Sequence, residues 1–503
     1  MFERSSGILM HVSSLPGDYG VGDFGKGAYG FIDFLSSSGQ KLWQILPLGP
    51  TGYGDSPYQC YSAFAGNFIF IDLDELAEKN YISYEELEKI KVYNNKGKVD
   101  YSGVNIKKGS ILKNAAVEFF KRIKTDAELK KSFETFVEEN SFWLENYALY
   151  MVFKEKFGGK PWNVWPRKYR CRDIKNIEIS EDEKKRFDYY RFEQYLFYTQ
   201  WFRIKEYANS KGIKIIGDIP IFVSTDSADT WEHSELFQFT KSRKPKKVAG
   251  CPPDYFSKKG QLWGNVLYDW KAIEKSKFAW WIERIAFSLK IYDIVRIDHF
   301  RGFEAYWSIR AGKKTAIKGR WEKGPGMKLF RAVEKNLGDV PIIVEDLGYL
   351  TPAVKRLLRR SGYPGMKIFQ FAFGNDDNEY LPHKYTENCV AYTGTHDNDT
   401  ITGWYEKLDP ATKFRCDEYL KGWLTDRGRN FWNPINWRSI ETLWSSAAGL
   451  VLIQMQDLLG LGSEARMNTP STVGGNWQWM MGPYDIKEDM VNRLREVTKT
   501  FNR

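Results

Sequence analysis

Three short stretches place carboxylates where apolar, β-branched runs come to an end. They are Arg296, Asp298 and His299 in VRIDHF, Glu345 and Asp346 in IIVED, and His396 and Asp397 in TGTHDN. Runs of this kind read as buried parallel strands. Side chains two apart share a face of a strand, so Arg296 points with Asp298 and favours its ionised form. Cleaving a glycosidic bond with retention needs one carboxylate nucleophile and one carboxylic acid, roughly 5–5.5 Å apart. Adjacent barrel strands offer that spacing, and Asp298 with Glu345 fit it. Glu345 must then keep its proton near neutral pH, through burial or a neighbouring negative charge. Asp397 is suited to supply that charge, to grip sugar hydroxyls and to favour an oxocarbenium-like transition state. Three of the five histidines, His11, His299 and His396, fall at strand ends, where the last two are natural hydroxyl donors.

Each residue also has a plainer reading. An Asp at a strand end is often a helix cap or an ion-pair partner, Glu345–Asp346 can cap a turn, and THDN can be an N-cap cluster. Metal ligation is weak, because two histidines on distant strands lack a third convergent ligand.

The elements that must carry these residues alternate in type. Strands are predicted over 7–11, 41–48, 214–223, 293–300, 342–346, 366–373, 390–395 and 465–468. Helical patterns separate them, including 31–38 before Gly39, the face made by Phe278, Trp281, Ile282, Ile285 and Leu289, and 327–337 before Gly338. Thr351–Pro352 makes an N-cap and first helical position for a helix ending before Gly362. Eight strands with intervening helices predict a (β/α)8 TIM barrel, an α/β fold whose chemistry sits at the carboxyl ends of the strands. The chain reads as a single catalytic barrel over 1–503. The interval 51–211 is too long for one crossover and reads as helical subdomains, with patterns at 83–91, 111–124 and 142–157. The segment 231–270 reads as a second, loop-rich insertion. Both are expected on the carboxyl-end face.

Bulk composition narrows the function classes. The chain has 503 residues, 42% hydrophobic and 27% charged, and no apolar run of roughly 18 residues that would span a membrane. No membrane association is expected, and the amino terminus lacks an export signal. Five scattered cysteines without CxxC spacing suggest reduced thiols in a cytoplasm. The net charge of +10 is spread among acidic residues, and its one dense cluster, 241–247, is broken by Pro245, so no nucleic-acid partner is expected. Aromatic content of 16%, with 19 Trp, fits either a sugar site or a large aromatic core.

The motifs themselves carry a resemblance. VRIDHFRG (295–302), IIVEDLG (342–348) and TGTHDNDT (393–400) closely resemble the signature regions of the α-amylase clan. Their spelling is similar to the 4-α-glucanotransferases of glycoside hydrolase family 77, the amylomaltases and disproportionating enzymes. SSLPGDYGVGDFG (13–25), GDSPYQCYSAFAGN (54–67), VAGCPPDYFSKKGQLWGNVLYDW (248–270) and RMNTPST (466–472) extend the likeness almost end to end. The resemblance implies Asp298 as nucleophile, Glu345 as acid/base and Asp397 as transition-state stabiliser. It implies that Arg296, His299 and His396 line the donor subsite with support from Asp218. Tyr58, Asp254, Tyr255, Phe256, Gln261, Trp263 and Asn468 would contact glucan. No cofactor and no metal are implied. The expected partners are maltooligosaccharides and α-1,4-glucans derived from starch or glycogen, with glucose as acceptor. The carboxylates are common to transferases and α-amylase-type hydrolases, and a catalytically inactive glucan-binding barrel is a third reading. Transferase therefore rests on the 248–270 loop, where Tyr255 and Phe256 would clamp the chain and limit water.

Overall fold

Short Ile-, Val- and Leu-rich runs, closed off by glycine, proline or polar residues, form the strands of the barrel. The computed structural model describes residues 2–92, 97–253 and 257–503. Its strands are β1 (Ser5–Leu9), β2 (Leu42–Gln44), β3 (Lys214–Ile219), β4 (Lys247–Cys251), β5 (Gln261–Val266) and β6 (Ile294–Ile297), followed by β7 (Ala305–Arg310), β8 (Gly319–Lys323), β9 (Ile342–Val344), β10 (Gly365–Ile368), β11 (Cys389–Tyr392) and β12 (Leu450–Gln454). Eight of them pair in parallel in the order β10-β11-β12-β1-β2-β3-β6-β9. Val344 N–H donates to Pro364 O at 3.0 Å, which joins the two ends of that order. The result is the expected (β/α)8 barrel.

Its interior is a packed core rather than a pore. Leu42, Ile216, Ile294, Ile343, Val390 and Leu452, from six different strands, belong to one buried cluster inside the ring. Gly7 completes that layer by lacking a side chain: a Cβ there would lie 2.1 Å from Leu42 O and 2.4 Å from Leu42 Cβ. Tyr392 on β11 reaches across the barrel to donate to Gln44 Oε1 on β2 at 2.8 Å. The opposite strand faces bury Trp43, Ile215, Val295 and Ile453 in the much larger cluster shared with the helices.

Helix ends follow local signals. Helix Met327–Leu337 stops at Gly338, whose φ is 75°. Helix Pro352–Ser361 starts on Thr351, whose hydroxyl accepts from Val354 N, and ends at left-handed Gly362. Between β2 and β3 stand helices Tyr101–Arg122, Ala127–Glu139 and Ser141–Lys156. The 30-residue helix Glu181–Ser210 then leads directly into β3, opened by a capping box between Ser180 and Glu183. Among the described residues, no helix is long and apolar enough to cross a membrane.

Two expectations are corrected. The eighth barrel strand is Leu450–Gln454, not 465–468, which holds a 3-10 turn (Ser463–Ala465) and the loop after it. LVLIQ is buried throughout, and a short continuous apolar run does not reveal by period whether it is strand or helix. The region 231–270 is also less loop-like than expected. It supplies β4 and β5 to a four-stranded antiparallel sheet, β5-β4-β7-β8, that stands beside the barrel. Predicted strand ends overran by two to five residues, because the residues just past each ladder turn into the mouth.

Candidate active site

Asp298 is the first residue beyond β6, and its N–H donates to Ile219 O at the end of β3 at 3.0 Å. The next residue, His299, is left-handed at φ 51°, a region that residues other than glycine enter only uncommonly. That turn points the His299 N–H at Glu345 Oε2, at 2.8 Å. Glu345 lies one residue past β9; its N–H donates to Ile297 O and its own O accepts from Phe300 N, both at 2.9 Å. Four backbone groups thus lock the end of β6 to the end of β9, and with them the two carboxyl side chains.

The two carboxyls meet opposite electrostatics. Arg296 spans Asp218 Oδ2 at 2.5 Å and Asp298 Oδ1 at 3.0 Å. Burial acts to lower the Arg296 pKa, but Asp218 and then Asp298 outweigh it and hold the guanidinium well above its ordinary value. Glu345 is pushed up to about 8, first by burial and then by the Asp298 charge, against the pull of Arg296 and of the Leu347 N–H. At neutral pH Glu345 is therefore mostly a carboxylic acid beside a carboxylate gripped by arginine. A protonated carboxyl next to an arginine-paired one is the pairing that an acid and a nucleophile would require.

Asp397 approaches from the loop after β11. Asn398 Oδ1 shapes this turn by accepting from Thr395 N and Thr395 Oγ1, both at 2.9 Å. Asn468 Nδ2 donates to Asp397 Oδ1 at 2.6 Å, and Arg466 Nη2 donates to Asp397 O at 2.7 Å. His396 Nε2 lies 3.5 Å from Asp397 Oδ1.

Aromatic groups wall the mouth. Tyr58 stacks on His396 with centroids 5.1 Å apart, donates to Asp218 Oδ2 at 2.7 Å, and lies against Trp477. Trp263 on β5 meets His299 edge-on at 4.8 Å and donates to Gln261 Oε1 at 3.1 Å. Burial, opposed by Asp298 and reinforced by Arg301, pushes His299 down to about 4, so its ring is neutral near pH 7. Among the described residues, Asp218 Oδ1, His299 Nε2 and His396 Nδ1 are buried polar atoms without a protein partner. Hydroxyl groups, each both donor and acceptor, satisfy such atoms. No three His, Cys, Asp or Glu side chains among the described residues converge as a metal would require.

Comparison with known proteins identifies the arrangement. The sequence profile of glycoside hydrolase 77, described as 4-alpha-glucanotransferase, matches residues 10–485. The 4-alpha-glucanotransferase of Clostridium butyricum is 49% identical over 98% of this chain and 100% of its own length. That of Thermus thermophilus is 45% identical over 99% of each chain. The solved amylomaltase from Streptococcus agalactiae, in complex with acarbose, superposes with a TM-score of 0.95 at 42% identity, covering 100% of both chains. The chain belongs to the glycoside hydrolase 77 family of 4-alpha-glucanotransferases.

Within that family frame, the mouth of the barrel brings together Tyr58, Asp218, Gln261, Trp263, Arg296, Asp298, His299, Glu345, His396, Asp397 and Asn468. Asp254, Tyr255 and Phe256 lie outside the described residues. His11 stays apart from the chemistry: its Nδ1 accepts from Leu46 N at 3.3 Å, and burial, with His396, pushes it down to about 3. Two contributors escaped sequence reasoning. Arg466, which holds the Asp397 backbone, stands two residues before Asn468 in the same motif, so a signal for it existed. Trp477, left-handed at φ 65°, follows Gly474 and Gly475 in a stretch with no periodic pattern to mark it among 19 Trp.

Proposed function

We propose that Asp298, Glu345 and Asp397 transfer α-1,4-glucan segments between maltooligosaccharides, or from a maltooligosaccharide to glucose, by double displacement. Glu345 protonates the glycosidic oxygen of the departing sugar while an Asp298 oxygen attacks the anomeric carbon, giving a covalent glycosyl ester. The now anionic Glu345 takes the proton of an incoming 4-hydroxyl, which attacks the same carbon and releases Asp298. Asp397, steadied by Asn468 and Arg466, bonds sugar hydroxyls as positive charge develops on the ring. Arg296, His299 and His396 line the donor sugar, with Asp218 fixing Arg296. Tyr58, Gln261 and Trp263 extend the contact surface, as do Asp254, Tyr255 and Phe256 by their family resemblance.

The observation that carries this reading is the split treatment of two neighbouring carboxyls: Arg296 on Asp298 at 3.0 Å, and Glu345 pushed up to about 8. We read the chain as one catalytic unit over 1–503, with 51–211 and 231–270 as its insertions. Donors drawn from starch or glycogen and a cytoplasmic setting complete the reading. Incubation with maltotriose tests it. A transferase yields glucose plus a ladder of longer maltodextrins with no net gain of reducing ends. Shorter sugars alone, with new reducing ends, would show a hydrolase.

A further inference from the structure

The outer wall of the barrel holds a groove of about 620 Å³, none of whose lining residues belongs to the barrel mouth. One side is the 428–433 loop, between helices Pro410–Thr425 and Ile435–Trp444; the other is helix Glu488–Thr500. Between them lies Glu441, whose side chain is 2% exposed. It is gripped by Arg429 Nε at 2.7 Å and Arg493 Nη2 at 3.2 Å. Arg493 also packs its guanidinium over Trp437 at 4.0 Å. Each arginine commits one N–H to Glu441, so both planes are fixed while further donors line the groove.

The loop carries Trp432 between two lining residues, Asn430 and Asn433. Its backbone N–H is pinned to Asn430 Oδ1 at 2.9 Å. The residue is 87% exposed, more than any other large apolar residue among those described. A lone exposed apolar residue needs no explanation. An exposed indole on a pinned loop whose neighbours Asn430 and Asn433 line a groove with fixed planar donors is a different arrangement, because sugar rings present an apolar face and a rim of hydroxyls.

We propose that this groove is a second binding site for a neutral α-glucan chain, with Trp432 as the stacking platform and Arg429, Arg493 and the asparagines bonding hydroxyls. The charges fit a neutral ligand. Arg429 and Arg493 stand against Glu441, Asp489 and Glu496, leaving no positive excess to attract a polyanion. The site lets a long polymer stay bound while the barrel mouth works on a chain end. It rests on the glucan reading of the mouth.

Affinity electrophoresis through gels containing glycogen, paired with maltotriose turnover, tests the proposal. Trp432→Ala should weaken glycogen retardation by roughly tenfold, with Trp432→Phe recovering most of it and kcat/KM on maltotriose unchanged in both. Asp298→Asn should keep the retardation while losing turnover. Retardation unchanged in Trp432→Ala overturns the second site, as does a parallel fall in maltotriose turnover. A dimer that dissolves in Trp432→Ala while glycogen retention persists also overturns it, by assigning the indole to a subunit contact. Wild-type protein that leaves maltotriose untouched contradicts the glucanotransferase reading instead, whatever the gel shows.

Discussion

At the residue scale, the surroundings of Asp298 and Glu345 differ: Arg296 pairs with the first, while burial and the Asp298 charge raise the pKa of the second. Asp298→Asn keeps the shape and removes the nucleophile, so turnover should fall by about 10⁴-fold or more, measured as kcat on maltotriose. In the proposed mechanism Glu345 must be protonated to start the reaction. The kcat/KM profile should therefore fall as pH rises through about 8, and Glu345→Gln should lose that limb together with most of its activity. The same shift has a stability sign. Glu345 is raised from 4.5 to about 8 on folding, so its contribution is fully present below pH 4.5 and is lost progressively as pH climbs to about 8. The Tm of Glu345→Gln should consequently gain on wild type between pH 5 and 8. A constant Tm difference over that range would contradict burial of the acid.

At the element scale, short strands aim the carboxylates and a few contacts fix each aim. Asn468→Ala removes the amide that holds Asp397 Oδ1 at 2.6 Å. Its kcat should drop by about 100-fold with a smaller change in KM, since the loop keeps its fold but loses its orientation. Gly7→Ala forces a methyl into the Leu42 backbone at 2.1 Å, so it should destabilise the barrel by about 3 kcal/mol in denaturant titrations, with folding at low yield. Much of this scale was legible in the sequence wherever the signal is local. Helix 327–337 and the Thr351-capped helix were read with their caps because glycine, proline and threonine act within one turn. Asp298, Glu345 and Asp397 were legible because apolar runs end just before them. The strand Leu450–Gln454 and the sheet of β4, β5, β7 and β8 were not. Leu450–Gln454 owes its identity as a strand to β1 and β11, both far along the chain, and β8, a run of Gly, Arg, Trp, Glu and Lys, carries no apolar alternation. Trp477 was hidden for the same reason: its neighbours Tyr58 and His396 meet it only in the folded barrel.

At the scale of the whole molecule, the match to relatives extends over both long intervals, covering 98% of this chain in the Clostridium butyricum enzyme and 100% in the Streptococcus agalactiae amylomaltase. The 51–211 interval ends in a 30-residue helix that joins it rigidly to β3 and hence to Asp218. The antiparallel sheet beside the barrel presents Trp263 to His299. The choice of transfer over hydrolysis is expected to lie with this assembled rim, because the carboxylates are common to both reactions. If a glycosyl group passes through Asp298, intact-protein mass spectrometry of Glu345→Gln mixed with α-maltosyl fluoride will detect it. Fluoride leaves without an acid while the missing base slows release. The protein should become heavier by one maltosyl group, carried on the peptide that contains Asp298. An adduct on any other carboxylate, or steady fluoride release with no adduct and no effect of Asp298→Asn, would contradict passage through Asp298.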